Sequence, residues 1–198
     1  MPVLLYIHGF LSSPTSHKAQ QVEAWLARER PDIEFCCPYL PPFPARVREQ
    51  LEQLVASLLP EPVYLMGSSM GGFWSTYLAE KYDLRAVLIN PAVAPHSHMD
   101  AYLGIELKNF HTEDKYILKP EHIDEMRAAD IARPQRLGNY WLLVQTGDET
   151  LDYRDAVAKY QGCKQRVEEG GDHSFQHFER LIPAAVAFLE ATQSSASL

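Results

Sequence analysis

Short apolar runs recur along this chain, separated by segments whose apolar residues return every three or four positions. Val3-Leu4-Leu5-Tyr6-Ile7 is apolar at every position, as a strand buried on both faces of a parallel sheet must be. Ser16 can cap a helix running to about Arg30, with Ala19, Val22, Trp25 and Leu26 on one side. Ile33 to Cys37 predicts a second strand, stopped by Pro38, Pro41, Pro42 and Pro44. Pro44 then sits early in a helix carrying Val47, Leu51, Leu54, Val55 and Leu58. The alternation continues with a strand at Val63–Met66, a helix at Met70–Tyr82 and a strand at Ala86–Ile89. After a gap come a strand at Trp141–Val144, a short helix at about Tyr153–Tyr160, a more polar edge strand at Lys164–Glu168 and an amphipathic helix from Phe178 to Ala191.

Strands and helices alternating at this spacing predict an α/β fold, a parallel sheet of about six strands with helices on both faces. The gap, about 94–137, has no strand-like run and is rich in His, Asp, Glu and Tyr. It is expected to be a short helical cap insertion over one sheet edge. Residues 1–191 then make one domain with that insertion inside it. Residues 192–198, mostly Ser, Ala and Gln, are expected to be a disordered tail.

Composition narrows the function classes. The chain has 198 residues, a hydrophobic fraction of 46% and a net charge of −8. That charge, with Lys and Arg scattered, argues against nucleic acid and anionic membrane as partners, since phosphate binding needs clustered cations. The first apolar run is too short for a membrane span and lacks a basic flank. Cys36, Cys37 and Cys163 form neither a disulfide framework nor a metal spacing, which suits a reducing, cytoplasmic setting. A monomer is the default expectation.

Gly67-Ser68-Ser69-Met70-Gly71 matches G-x-S-x-G between an apolar strand and a helix, the context in which such a serine projects from a tight turn. A serine needs a base, and the base needs an orienting group. His173, in Gly170-Gly171-Asp172-His173 after the last strand, is the expected base. His177, one turn into the final helix, is its nearest rival and is expected to point away. The acid is sought after the fifth strand, where Asp148 follows Gly147. Asp152 fits better as the cap of the next helix, and Glu149 is expected to be solvated. The backbone N–H groups of Phe10 and Met70 are the expected oxyanion donors, with His8 structural. Phe10, Leu11, Met70, Tyr102, Leu103 and Tyr116 are pocket candidates because their segments should surround the serine. Phe73, Trp74 and Tyr77 are assigned to the core. His96-Ser97-His98-Met99-Asp100 has alternating ligand types, but a polar cap loop accounts for it better than a metal site. No metal or other cofactor is expected.

These pieces in order, strand–HGF, strand–GSSMGG–helix, strand–GDE and strand–GGDH, resemble the α/β-hydrolase superfamily without that fold's usual first two strands. More narrowly the chain resembles the small bacterial YqiA-type esterases. That resemblance runs through Leu5–Phe10, Ser12-Ser13-Pro14, Lys18-Ala19, Gly67–Ser69, Asn90–Val93, Tyr102–Gly104, Gln145–Glu149, Leu151–Tyr153 and Glu169–Gly171. It implies a serine-dependent hydrolase of short-chain acyl esters, with acyl-CoA thioesters as an alternative substrate class, and it favours Asp148 over Asp152. A catalytically silent hydrolase fold that only binds a ligand is the reading from another class. The presence of nucleophile, base and acid together speaks against it.

Overall fold

A computed structural model describes residues 1–191; the predicted tail, 192–198, lies outside the described residues. Six strands form one sheet: β1 (Val3–Ile7), β2 (Glu34–Cys36), β3 (Val63–Ser68), β4 (Arg85–Ile89), β7 (Tyr140–Gln145) and β8 (Lys164–Glu168). Their order is β2-β1-β3-β4-β7-β8, and every pairing is parallel. The chain thus begins one strand in from an edge of the sheet, winds outward to β2, returns across β1 to β3 and then proceeds to β8. Both strand faces are covered, which is why β1, β4 and β7 carry apolar residues at successive positions.

Alternate residues of the central strands separate into two cores. Leu5, Ile7, Leu65, Leu88, Leu142 and Val144 face α2 (Pro44–Leu58), α3 (Met70–Tyr82) and α5 (Tyr153–Lys159). Leu4, Tyr6, Met66, Val87, Ile89 and Leu143 face α1 (His17–Glu29) and α6 (Ile182–Glu190). A one-residue slip of any central strand would exchange these two sets, so the register is held from both sides. Phe73 and Trp74 are buried in the first core, as expected.

Two local expectations need correction. The 94–137 segment does contain strands: β5 (Glu106–Lys108) and β6 (Lys115–Ile117) pair antiparallel, followed by α4 (Pro120–Ala129). Each strand is only three residues long, too short to leave a period-2 signal. The hairpin tip meets the loop after β1, where the Phe110 N–H donates to the Leu11 carbonyl at 2.8 Å and Asn109 Nδ2 to the Ser12 carbonyl at 3.0 Å. The final helix is also broken, a 3-10 turn at Phe178–Leu181 preceding α6. Pro183, which has no N–H to give, stands in the first turn of the new helix.

Candidate active site

The turn from β3 into α3 holds Ser69 at φ 55° and ψ −121°, a conformation that side-chain-bearing residues seldom adopt. Its neighbours must be glycine because backbone crosses backbone here. A Cβ on Gly71 would lie 1.8 Å from the Ile7 carbonyl oxygen, and one on Gly67 would lie 2.2 Å from the Gly71 carbonyl oxygen. The G-x-S-x-G spacing is therefore a steric demand of β1, β3 and α3 meeting at one point. The Ser69 N–H donates to the Ile89 carbonyl at 3.0 Å, which ties the turn to β4 as well.

His173 Nε2 lies 3.1 Å from Ser69 Oγ, and its Nδ1 lies 2.9 and 3.0 Å from the two carboxylate oxygens of Asp148. A carboxylate only accepts, so Nδ1 carries the proton and Nε2 is free to accept from the serine hydroxyl. Asp148 is not free to turn away. Its Oδ1 also accepts from the Thr150 and Leu151 amides, both at 2.9 Å, and its side chain is 2% exposed. Burial pushes the Asp148 carboxyl up, but the hydrogen bond from His173, the two amides and the imidazole's charge outweigh it. The net value stays below the ordinary one.

Other sequence candidates fall into place around this line. Asp152 caps α5 by accepting from the Arg154 amide at 3.0 Å, and the exposed His177 lies beside Glu179. His8 anchors its loop: Nδ1 donates to the Gly9 carbonyl at 2.9 Å and Nε2 accepts from the Leu40 amide at 3.1 Å. Burial lowers its pKa, in keeping with a neutral ring. Neither the Phe10 nor the Met70 N–H is taken by another group among the described residues, so both amides can receive a ligand oxygen. Glu149 is not simply solvated. Its Oε2 accepts from the His173 amide at 3.0 Å.

Two residues not selected on chemical grounds hold the histidine loop. The buried Asn90, just beyond β4, donates from Nδ2 to the Asp172 and His173 carbonyls at 3.0 and 3.1 Å and accepts from the Gln145 amide at 3.1 Å. The buried Gln145, at the end of β7, accepts from the Gln176 and Asp172 amides at 2.8 and 3.3 Å and donates to the Gln176 carbonyl at 3.0 Å. Beyond lying in segments that carry the family resemblance, this pair is marked in the sequence only as polar residues at the ends of otherwise apolar strands. From α1, Lys18 Nζ donates to the Ser174 carbonyl at 2.8 Å.

Two cavities lie at the serine turn, one lined by Ser69 itself and one by the adjoining Met70. One, of about 20 Å³, is apolar and bounded by Phe10, Leu11, Leu40, Val47, Met70 and Trp74. Trp74 thus serves both core and cavity wall. The other, of about 390 Å³, contains Ser69 and His173 and extends under the hairpin to Lys18, Phe110 and His111. Tyr102, Leu103 and Tyr116 line neither cavity. The Tyr116 hydroxyl instead meets that of Tyr39 at 2.6 Å. Among the described residues no three His, Cys, Asp or Glu side chains are grouped to hold a metal, and no helix is long and apolar enough to cross a membrane.

The parallel sheet, the serine turn and the loops that follow β7 and β8 make an α/β-hydrolase fold. Residues 3–190 match the model of the uncharacterised protein family UPF0227, and the chain belongs to that family. A UPF0227 protein of Pectobacterium atrosepticum is 23% identical over 175 residues, covering 82% of this chain and 97% of the relative. Among solved structures, mouse alpha/beta hydrolase domain-containing protein 10 superposes with a TM-score of 0.72 at 16% identity, over 93% of this chain and 88% of its own. Est1E from Butyrivibrio proteoclasticus gives 0.70 at 20% identity, over 94% and 86%. A monoacylglycerol lipase from Paleococcus ferrophilus gives 0.68 at 15%, over 94% of both chains. At such identities these likenesses establish the fold.

Proposed function

We propose that the protein is a serine-dependent carboxylic ester hydrolase that acts on short-chain acyl esters through an acyl-enzyme. The observation that carries this reading is the unbroken hydrogen-bonded line from Ser69 Oγ through His173 to a buried Asp148. In the first step Ser69 Oγ bonds to the ester carbonyl carbon while its proton passes to His173 Nε2. The Phe10 and Met70 amides receive the oxyanion. His173 returns that proton to the departing oxygen as the carbon–oxygen bond breaks. Water then repeats the sequence on the acyl-serine, releasing acid and free enzyme. Asp148 keeps the imidazole in the required tautomer. The small apolar cavity beside Met70, with room for about one water-sized group, supports a short acyl group. Neighbours named for lipase activity or bearing ferulic acid are consistent with an ester as substrate.

The test is burst-phase hydrolysis of a chromogenic ester series from two to twelve carbons by the wild type, Ser69→Ala and Asp148→Asn. Turnover is expected to peak at short chains and to vanish in Ser69→Ala. Asp148→Asn, whose Oδ1 would stay with the Thr150 and Leu151 amides and whose Nδ2 would turn a donor toward Nδ1, imposes the wrong tautomer and is expected to lose about 10³- to 10⁴-fold in kcat. Equal rates for wild type and Ser69→Ala would overturn the assignment.

A further inference from the structure

The cavity that holds Ser69 and His173 differs in charge from the rest of the molecule. The chain as a whole carries −8, yet no Asp or Glu lines this cavity. Its walls carry instead the ammonium of Lys18, the imidazoles of His17 and His111 and the hydroxyls of Ser12 and Ser16. Lys18 makes no ion pair among the described residues, and its one hydrogen-bond acceptor is the Ser174 carbonyl. Asp148 and Asp172 act on it only from beyond ion-pair distance. Asp148 is already committed to His173 and two amides, and Asp172 Oδ2 accepts from Gln176. A half-buried lysine held in this way retains two donor hydrogens and a charge with no carboxylate in contact. Burial lowers its pKa, as expected where a cation lacks a close partner.

Position assigns the part of the substrate that would meet this charge. Any group leaving from Ser69 must collect its proton from His173 Nε2, so it departs into the cavity that His173 lines. On the proposed mechanism the acyl group would take the other side, toward Met70 and the small apolar cavity, which His173 does not line. We infer that the substrate's leaving group carries an anionic substituent, a carboxylate or a phosphate, recognised by Lys18 with His17 and His111 at the cavity wall. This rests on the serine-hydrolase reading and adds the class of alcohol that reading leaves open.

The experiment compares acetate esters of phenols bearing a 4-carboxylate, a 4-phosphate or a neutral 4-carboxamide, each rate divided by that of hydroxide-catalysed hydrolysis. For the wild type, kcat/KM is expected to favour an anionic ester over the carboxamide by about tenfold or more. The ratio should fall toward one in Lys18→Gln, which keeps a donor for Ser174, and recover in Lys18→Arg. Which anion is preferred, carboxylate or phosphate, identifies the substituent. A wild-type ratio near one would overturn the inference. So would an equal fall for anionic and neutral esters in Lys18→Gln, because Lys18 would then act only by anchoring the histidine loop. Failure of the underlying reading is distinguishable, since all three esters would then be hydrolysed equally by Ser69→Ala and wild type, or by neither.

Discussion

Ser69 and His173 arrive at the same point by opposite means. The serine turn is held from nearby: β3 ends, α3 begins one residue later, and glycines let β1 and α3 backbones close on it. The histidine loop has no such local constraint. It is held by side chains from Asn90 and Gln145, 83 and 28 residues earlier in sequence, by Glu149 from the loop that carries Asp148 and by Lys18 from α1. Steric exclusion fixes Ser69 and hydrogen bonding fixes His173. The two are therefore vulnerable to different substitutions.

The largest expected effect falls on the serine turn. Gly71→Ala places a methyl 1.8 Å from the Ile7 carbonyl oxygen, a backbone atom that cannot rotate away. β1 and α3 must separate, and a loss of about 3–5 kcal/mol is expected in urea unfolding. A variant unfolding at the wild-type midpoint would show that the turn has slack and that the contrast is false.

An intermediate effect is expected in the loop. Asn90 has φ 40°, so Asn90→Gly keeps a backbone at ease there and deletes only the side chain's three hydrogen bonds. The loop then loses its tie to β4, and His173 samples positions away from Ser69. A fall in kcat of about 10- to 100-fold with KM little changed is expected. A proportional rise in KM instead would mean that Asn90 shapes the cavity rather than positioning the base.

The same contrast explains what the sequence could disclose. Steric constraint at Ser69 leaves a contiguous trace, Gly67-Ser68-Ser69-Met70-Gly71, because the atoms that collide belong to residues close in the chain or to the one strand beside them. The central strands were legible for a similar reason, each being buried on both faces and therefore apolar throughout. His173 and Asp148 were found by their order after successive strands, a property of topology. Asn90 and Gln145 were not found on chemical grounds. A polar residue ending a strand looks the same whether it meets water or a distant loop. Three-residue strands such as β5 and β6 carry too few positions for a period, so the hairpin that brings Phe110 and His111 over the serine was hidden, and with it the cavity's composition. Tyr102 and Tyr116 were chosen from segment position alone, and segment position does not say which way a short hairpin turns its side chains.

The smallest effect concerns Asp148, where the two regions meet. Its carboxyl is held below its ordinary range because, despite burial, the His173 N–H and two amides favour the charged form. A carboxyl whose pKa is lower in the folded state contributes stability that is fully present above its unfolded value of about 3.9 and is lost as pH falls through the folded one. Asp148→Asn has no proton to take up, and its carboxamide oxygen can still accept from the Thr150 and Leu151 amides. Its stability should therefore fall less steeply than that of the wild type as pH drops below about 4. Urea midpoints for both proteins across the acid range measure the difference. Parallel slopes would mean that the charged form gains nothing from the folded loop. Asp148 would then orient His173 without helping to hold it, leaving Asn90, Gln145, Glu149 and Lys18 to hold the loop without it.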